Sequence, residues 1–170
     1  MGGIEFTLDA NGQPRFLCID KGGEKVNVGS KLEDFQVVRP LGKGHFGAVY
    51  LVTSKLTNKL YAMKEIQTKN YKTQEEVNQV EKEIKLLENL RHPHVITYFN
   101  SFKQNGNIYI IIEYINGGSL EELLLDNIKK QKRIDEKTLW DLLIQSLSGL
   151  LYLHEKRKII HRDIKPDNLF

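Results

Sequence analysis

Cysteine is almost absent from this 170-residue chain: Cys18 stands alone. No intrachain disulfide and no cysteine-based metal cluster can form, and a reducing compartment is the natural setting. Long apolar runs are absent as well. No stretch approaches the ~20 consecutive apolar residues of a membrane-spanning helix, so no membrane partner is expected. An excess of one charge is also missing. The net charge is only +3, and the lysines are interleaved with glutamates instead of forming a basic stripe, which gives no indication of a nucleic-acid partner. The opening "MGGIEFTL" lacks the basic and apolar segments of a secretory signal. Gly2 lacks the Ser or Thr that a myristoylation motif needs at the place Phe6 occupies. What is present, 40% hydrophobic and 28% charged residues, is ordinary for a soluble globular protein of the cytoplasm.

The length allows one domain or two small lobes. Residues 4 to 19 alternate around Asn11-Gly12, the dipeptide of a tight hairpin turn, with Pro14 confining the second strand to an edge. Phe6, Leu8, Phe16 and Leu17 would then need cover, from the body of the protein or from a docking partner. The stretch "DKGGEKVNVGSK" is polar and glycine-rich and is expected to be a linker. From Phe35 onward, "FQVVRPLG", "AVYLVTS" and "KLYAMKEI" are short, Val- and Tyr-rich and alternating, which predicts an antiparallel meander.

Residues 73 to 90 place Thr73 and Glu76 in capping-box spacing, with Val77, Val80, Ile84, Leu87 and Leu90 on one helical face. Pro93 stops that helix. Two further strands, "VITYFNSF" and "NIYIIIEYI", flank Asn105-Gly106. After Gly117-Gly118 the pattern is helical throughout, with Leu139, Leu143, Leu147, Leu150 and His154 at three- and four-residue intervals. The expected organisation is residues 1–33 as a hairpin and linker, 34–116 as a β-rich lobe with a hinge, and 117–170 as the start of a helical lobe.

"LGKGHFGAV" carries Gly42, Gly44 and Gly47 in G-x-G-x-x-G spacing. A dinucleotide site needs a helix after the third glycine, whereas "AVYLVTSK" is strand-like. A P-loop needs Lys and Ser or Thr where Ala48 and Val49 stand. A plain hairpin turn and a phosphate-covering hairpin both remain open. In the second, missing side chains admit phosphate to the backbone amides, Phe46 at the tip excludes water and Val49 packs on a base. Lys64 sits inside an apolar strand, where an ammonium needs an anionic partner. Glu83, beside Val80 and Ile84 on the helix and aimed inward, is the candidate, against the plainer reading of two solvated charges.

Together with "H161RDIKPDN168", these segments resemble the eukaryotic protein kinases, whose recurring set is a glycine loop, a strand lysine, a helix glutamate and this catalytic loop. The resemblance covers residues 34–170 and implies an α+β, protein-kinase-like fold. That fold has a five-stranded antiparallel N-lobe sheet with one main helix, followed by the first helices of a helical C-lobe. It implies ATP and Mg2+ as cofactors and a protein substrate. By position, Leu41, Gly42, Gly44, Phe46, Gly47, Val49, Ala62 and Lys64 would surround the nucleotide. Ile112 would stand behind the base, and the backbones of Glu113 and Ile115 would meet its edge. Asp163 would orient the acceptor hydroxyl, Lys165 would steady the moving phosphoryl group, and Asn168 would hold a magnesium ion.

The resemblance makes His161 a structural brace and gives Arg162 an activation-loop phosphate to pair with. Lys165 points to the serine/threonine branch. "HPHVITYFNSFKQNGNIYIIIEYINGGSLEELL" and Trp140 in "LWDLLIQSLSGLLYLH" look like the NIMA-related kinases, which carries cytoskeletal or ciliary placement by family analogy alone.

No Asp-Phe-Gly follows Asn168, so the principal magnesium carboxylate of the pattern is missing and this stretch is expected to be inactive alone. The alternative is a kinase-derived scaffold without catalysis, which would need none of Lys64, Glu83, Asp163 and Asn168. A small-molecule kinase of related fold is disfavoured by Lys165-Pro166.

Overall fold

A computed structural model describes residues 7–8, 14–15, 26–44 and 47–170. Strand β1 (Thr7–Leu8) pairs antiparallel with β2 (Pro14–Arg15), Thr7 opposite Arg15. The Asn11-Gly12 turn, and Phe6, Phe16, Leu17 and Phe46, lie outside the described residues. The chain divides into two compact units, Gly22–Leu90 with Thr97–Tyr114, and Met1–Lys21 with Arg91–Ile96 and Ile115–Phe170.

The first unit is a five-stranded antiparallel sheet of β3 (Phe35–Gly44), β4 (Gly47–Ser54), β5 (Leu60–Gln67), β6 (Tyr98–Gln104) and β7 (Asn107–Glu113). Its strand order is β3-β4-β5-β7-β6. This is the sheet the alternating segments predict, and its helix is α1 (Gln74–Leu87). Asn105 at φ 52 and Gly106 at φ 74 close the β6–β7 hairpin with the two positive dihedrals that a type I′ turn requires. The Thr73 hydroxyl accepts from the Glu76 amide in the expected capping box. Helical geometry stops at Leu87, three residues short of the sequence expectation, and Leu90 is buried beyond it.

The sheet is buried on both faces. Ile66, Ile108 and Ile110 join Tyr98 and Ile84 of α1 in one core, with Val77 and Val80 packed against it. On the other face Val52, Tyr61, Met63, Tyr109 and Ile111 pack with Phe35 and Val28. Val28 is only 1% exposed, so the expected linker is, at its end, part of a core.

The second unit contains α2 (Leu120–Lys129) and α3 (Glu136–Leu151), capped by Ser119 and Asp135, with a wider π turn over Tyr152–Lys156. Along α3 the buried row is Leu142, Gln145 and Gly149, continued by Leu153. The leucine stripe of Leu139, Leu143 and Leu147 is about half exposed. Residues 91–96 belong to this unit although the sequence reading placed them with the sheet. His92 stacks on Tyr152 with ring centroids 4.9 Å apart, and the Tyr152 hydroxyl accepts from the Arg91 amide at 2.8 Å. No helix among the described residues is long and apolar enough to cross a membrane.

A Cβ at Gly149 would lie 2.7 Å from the His94 carbonyl oxygen, backbone that cannot step aside cheaply, while a Cβ at Gly42 would meet nothing. Gly149→Ala is therefore expected to destabilise the chain by about 1–3 kcal/mol in urea denaturation. Gly42→Ala should change it by about 0.5 kcal/mol or less.

Candidate active site

The face of the sheet that α1 covers carries Val49, Ala62, Lys64 and Ile112, four of the residues assigned to a nucleotide. Register places Val49 opposite Lys64, and Ala62 opposite Leu51 on one side and Ile112 on the other. Val49 and Ala62 are buried, Ile112 is half-buried and Leu41 lies on the exposed edge strand. Gly44 pairs with Gly47 at the tip of the β3–β4 hairpin. A Cβ on Gly47 would fall 1.8 Å from the Glu65 carbonyl oxygen, so strand contact alone requires this glycine. The Glu113 amide donates to the Thr97 carbonyl at 2.9 Å, so this residue's contribution to a base edge must come from its own carbonyl. The Glu113 carboxylate in turn accepts from the Thr97 amide and hydroxyl at 3.1 and 3.0 Å. No signal in the sequence marks this tie between β7 and the approach to β6.

Lys64 is half-buried. Desolvation pulls its ammonium below the ordinary value of 10.5, and the field of Glu83 opposes this. The inward ion pair expected from the sequence is not formed. Glu83 is exposed, its carboxylate accepts from the Gln79 side-chain Nε2 at 3.4 Å, and no ion pair joins it to Lys64 among the described residues. The physical reason is angular. Glu83 lies on the helical row of Glu76 and Gln79, beside the buried Val77–Val80–Ile84 line and not within it.

The catalytic-loop residues Asp163, Lys165 and Asn168 come together in the second unit. Asn168, 6% exposed, donates its side-chain amide to the Asp163 carbonyl and to its Oδ2, both at 2.8 Å. The Lys165 ammonium stands 3.2 Å from the same Oδ2. The Asn168 hydrogen bond first, and Lys165 after it, hold the Asp163 carboxyl below the usual carboxylate range. Leu169 anchors the segment by accepting from the Leu120 amide at 2.7 Å. His161 Nδ1 accepts from the Asp163 amide at 3.3 Å, and burial pushes this imidazole below 6.5. Arg162 is exposed at φ 65, a left-handed conformation that an arginine adopts only when the flanking contacts impose it. Ile115, assigned to the base edge, is half-buried in this second unit.

A protein kinase domain family matches residues 35–170 of this chain. The chain belongs to the protein kinase family. A mitogen-activated protein kinase kinase 1c of Physcomitrium patens is 44% identical over 138 residues, which is 81% of this chain and 39% of that protein. Serine/threonine-protein kinase Nek5 of Homo sapiens is 36% identical over 141 residues, 82% of this chain and 19% of that protein. Aurora kinase B of Xenopus tropicalis is 36% identical over 168 residues, 99% of this chain and 44% of that protein. The chain therefore spans less than half the length of each of these relatives. The NIMA-related relative does not stand apart from the Aurora one, so the family is fixed at the level of serine/threonine kinases.

In this kinase chain the partly desolvated Lys64 carries a testable sign. A folded-state value below 10.5 means that burying the charged form costs stability at neutral pH, and that the cost is relieved as pH rises through the folded value. Lys64→Met is thus expected to hold or raise the urea midpoint at about pH 7 and to lose that advantage towards about pH 10. A variant destabilised at neutral pH would contradict the desolvation argument.

Proposed function

We propose that these residues carry phosphoryl transfer from ATP to serine or threonine hydroxyls of proteins. The observation that supports it best is the Asp163–Asn168–Lys165 cluster. It is an ionised carboxylate fixed by an amide, with an ammonium at its side, on a loop whose sequence matches the kinase pattern. Asp163 accepts a hydrogen bond from the acceptor hydroxyl and so aims its oxygen. Lys165 presents positive charge where the phosphoryl group moves, and Lys64 does the same for the phosphates held under the glycine loop. Exclusion of water falls to the apolar row of Val49, Ala62 and Ile112.

A magnesium ion fits this residue set only in part. With Asn168 Nδ2 committed to Asp163, its Oδ1 is the amide oxygen that would face a hard cation, and the described residues contain no group of three His, Cys, Asp or Glu able to hold one. When bound, the ion neutralises phosphate charge. With so few protein ligands for it, the 170-residue chain by itself should bind nucleotide weakly and turn over no ATP.

In the natural protein, Asp163→Asn and Lys64→Met should each lower phosphorylation of a protein substrate by about a hundredfold or more while leaving the fold intact, because they remove charge placement and not packing. Radiolabel transfer to a generic protein substrate, alongside a melting curve, measures both. A folded variant that keeps more than about a tenth of the parent rate would overturn the role given to that residue.

A further inference from the structure

The family match begins at residue 35, but the packing of the β-rich unit begins earlier. The strand order puts β3 and β6 at opposite edges of the sheet. In a flat sheet four spacings of about 4.8 Å would hold those edges roughly 19 Å apart. Yet Phe35 of β3 and Phe102 of β6 stack with ring centroids 6.0 Å apart and planes within 9°. The sheet curls at this end until the side chains of its two edges meet, and residues 27–34 lie across the seam.

The contacts run from one edge to the other. The Asn100 side chain on β6 donates to the Gly29 carbonyl at 2.8 Å. Gln104, also on β6, accepts from the Leu32 amide at 2.8 Å and donates to the Glu33 carboxylate at 3.0 Å. At the far end the Asp34 carbonyl accepts from the Lys55 amide at 2.8 Å, and the Glu33 carbonyl accepts from the Lys55 ammonium at 2.7 Å. Lys55 follows β4 directly, where Ser54 pairs with Phe35 at the base of the hairpin that carries Gly42, Gly44 and Gly47. Between the two ends Val28 fills the outer core against Val52, Met63 and Ile111. Gly29 makes the bend at φ +121, with room for no Cβ beside Asp34 and Phe35.

We propose that residues 27–34 are a strap that positions the glycine-loop hairpin from the opposite face of the sheet. The proposal rests on the nucleotide role given to that hairpin above. Register shifts between Val37 and Arg39 and between Pro40 and Gly42 bend and twist β3 on its way to the loop. The direction of the tip therefore depends on how the base is held, and the base is held by the strap. A solvated linker, the plain alternative, has no reason to bury a valine to 1% exposure or to spend the side chains of Asn100 and Gln104 on its backbone.

The test uses the 170-residue chain carrying Val28→Ala, or Asn100→Ala with Gln104→Ala, or Val28→Ile as the conservative control. MgATP affinity and amide hydrogen exchange are measured well below the melting temperature. Both disruptive variants should lose protection over residues 28–54 while keeping it at Ile66, Ile84 and Ile110. Their MgATP affinity should fall about tenfold, as expected if the loop is correctly placed in only about a tenth of molecules, and Val28→Ile should behave as the parent. Free exchange of the strap with MgATP affinity within about twofold of the parent would overturn the proposal, since the strap would then only stabilise. If the parent binds no MgATP, the nucleotide reading fails separately and the exchange arm decides. Protection lost along β3 and β4 supports positioning, and protection confined to the strap refutes it.

Discussion

The β-rich unit depends on one constraint: its middle strand, β5, is buried on both faces. Alternation sends Tyr61 and Met63 into the outer core, and sends Ala62, Lys64 and Ile66 to the side that α1 covers. A strand in that position needs two covers, which α1 supplies on one face and residues 27–34 on the other. It also leaves no wet position for a charge in its centre. Lys64 and Glu65 are the exceptions: the Glu65 carboxylate accepts from the Asn107 side-chain amide and the Tyr109 hydroxyl, whereas the Lys64 ammonium is destabilised by burial while Glu83 stays in solvent. An anion brought to Lys64 replaces lost hydration more effectively than the distant field of Glu83 can. On the proposed function, the same desolvation that costs stability would give the site a preference for phosphate.

Elements with local signals were legible in the sequence. Period-two alternation marked β3, β4 and β5, Asn105-Gly106 marked the hairpin between β6 and β7, and Thr73 with Glu76 marked the start of α1. The strap was not legible, because a single buried valine among glycines and polar residues has no period. Its cover exists only once the sheet has curled. Glu83 was misread for a related reason. Helical neighbours of buried residues can lie on either side of the boundary between core and water, and sequence spacing does not say where that boundary falls. The 91–96 segment was assigned by chain order to the sheet, yet Arg91 and His92 are held by Tyr152 of their own helical unit, a contact across 61 residues. One local clue to that packing was present, a glycine at position 149 inside an otherwise strong helix, where only close backbone approach justifies its cost.

The catalytic loop was the most legible feature of the candidate site, because it is almost self-contained. Asp163, Lys165 and Asn168 are bonded to one another within a few residues of chain, the last through a 3₁₀ turn over Pro166–Asn168. A motif whose geometry is made by its own residues survives translation from sequence to structure better than one assembled from distant elements. What the letters could not show was the left-handed backbone of Arg162, which turns the chain between His161 and Asp163 and lets the Asp163 amide reach the His161 ring.

On the role proposed for it, the electrostatics of Asp163 decide what kind of catalyst it would be. Asn168 and Lys165 lower its pKa, so the carboxylate is ionised throughout the neutral range and is correspondingly weak as a base towards a free alcohol. Removing the proton before bond formation would therefore be unfavourable. A hydroxyl oxygen becomes far more acidic as it bonds to phosphorus, so a weak base suffices once transfer is under way. Before that point the useful property of Asp163 is its fixed position, set by two hydrogen bonds from a buried amide. On the proposed role the demand on this loop is then one of geometry: to hold an acceptor oxygen in line with a phosphoryl group beside Lys165.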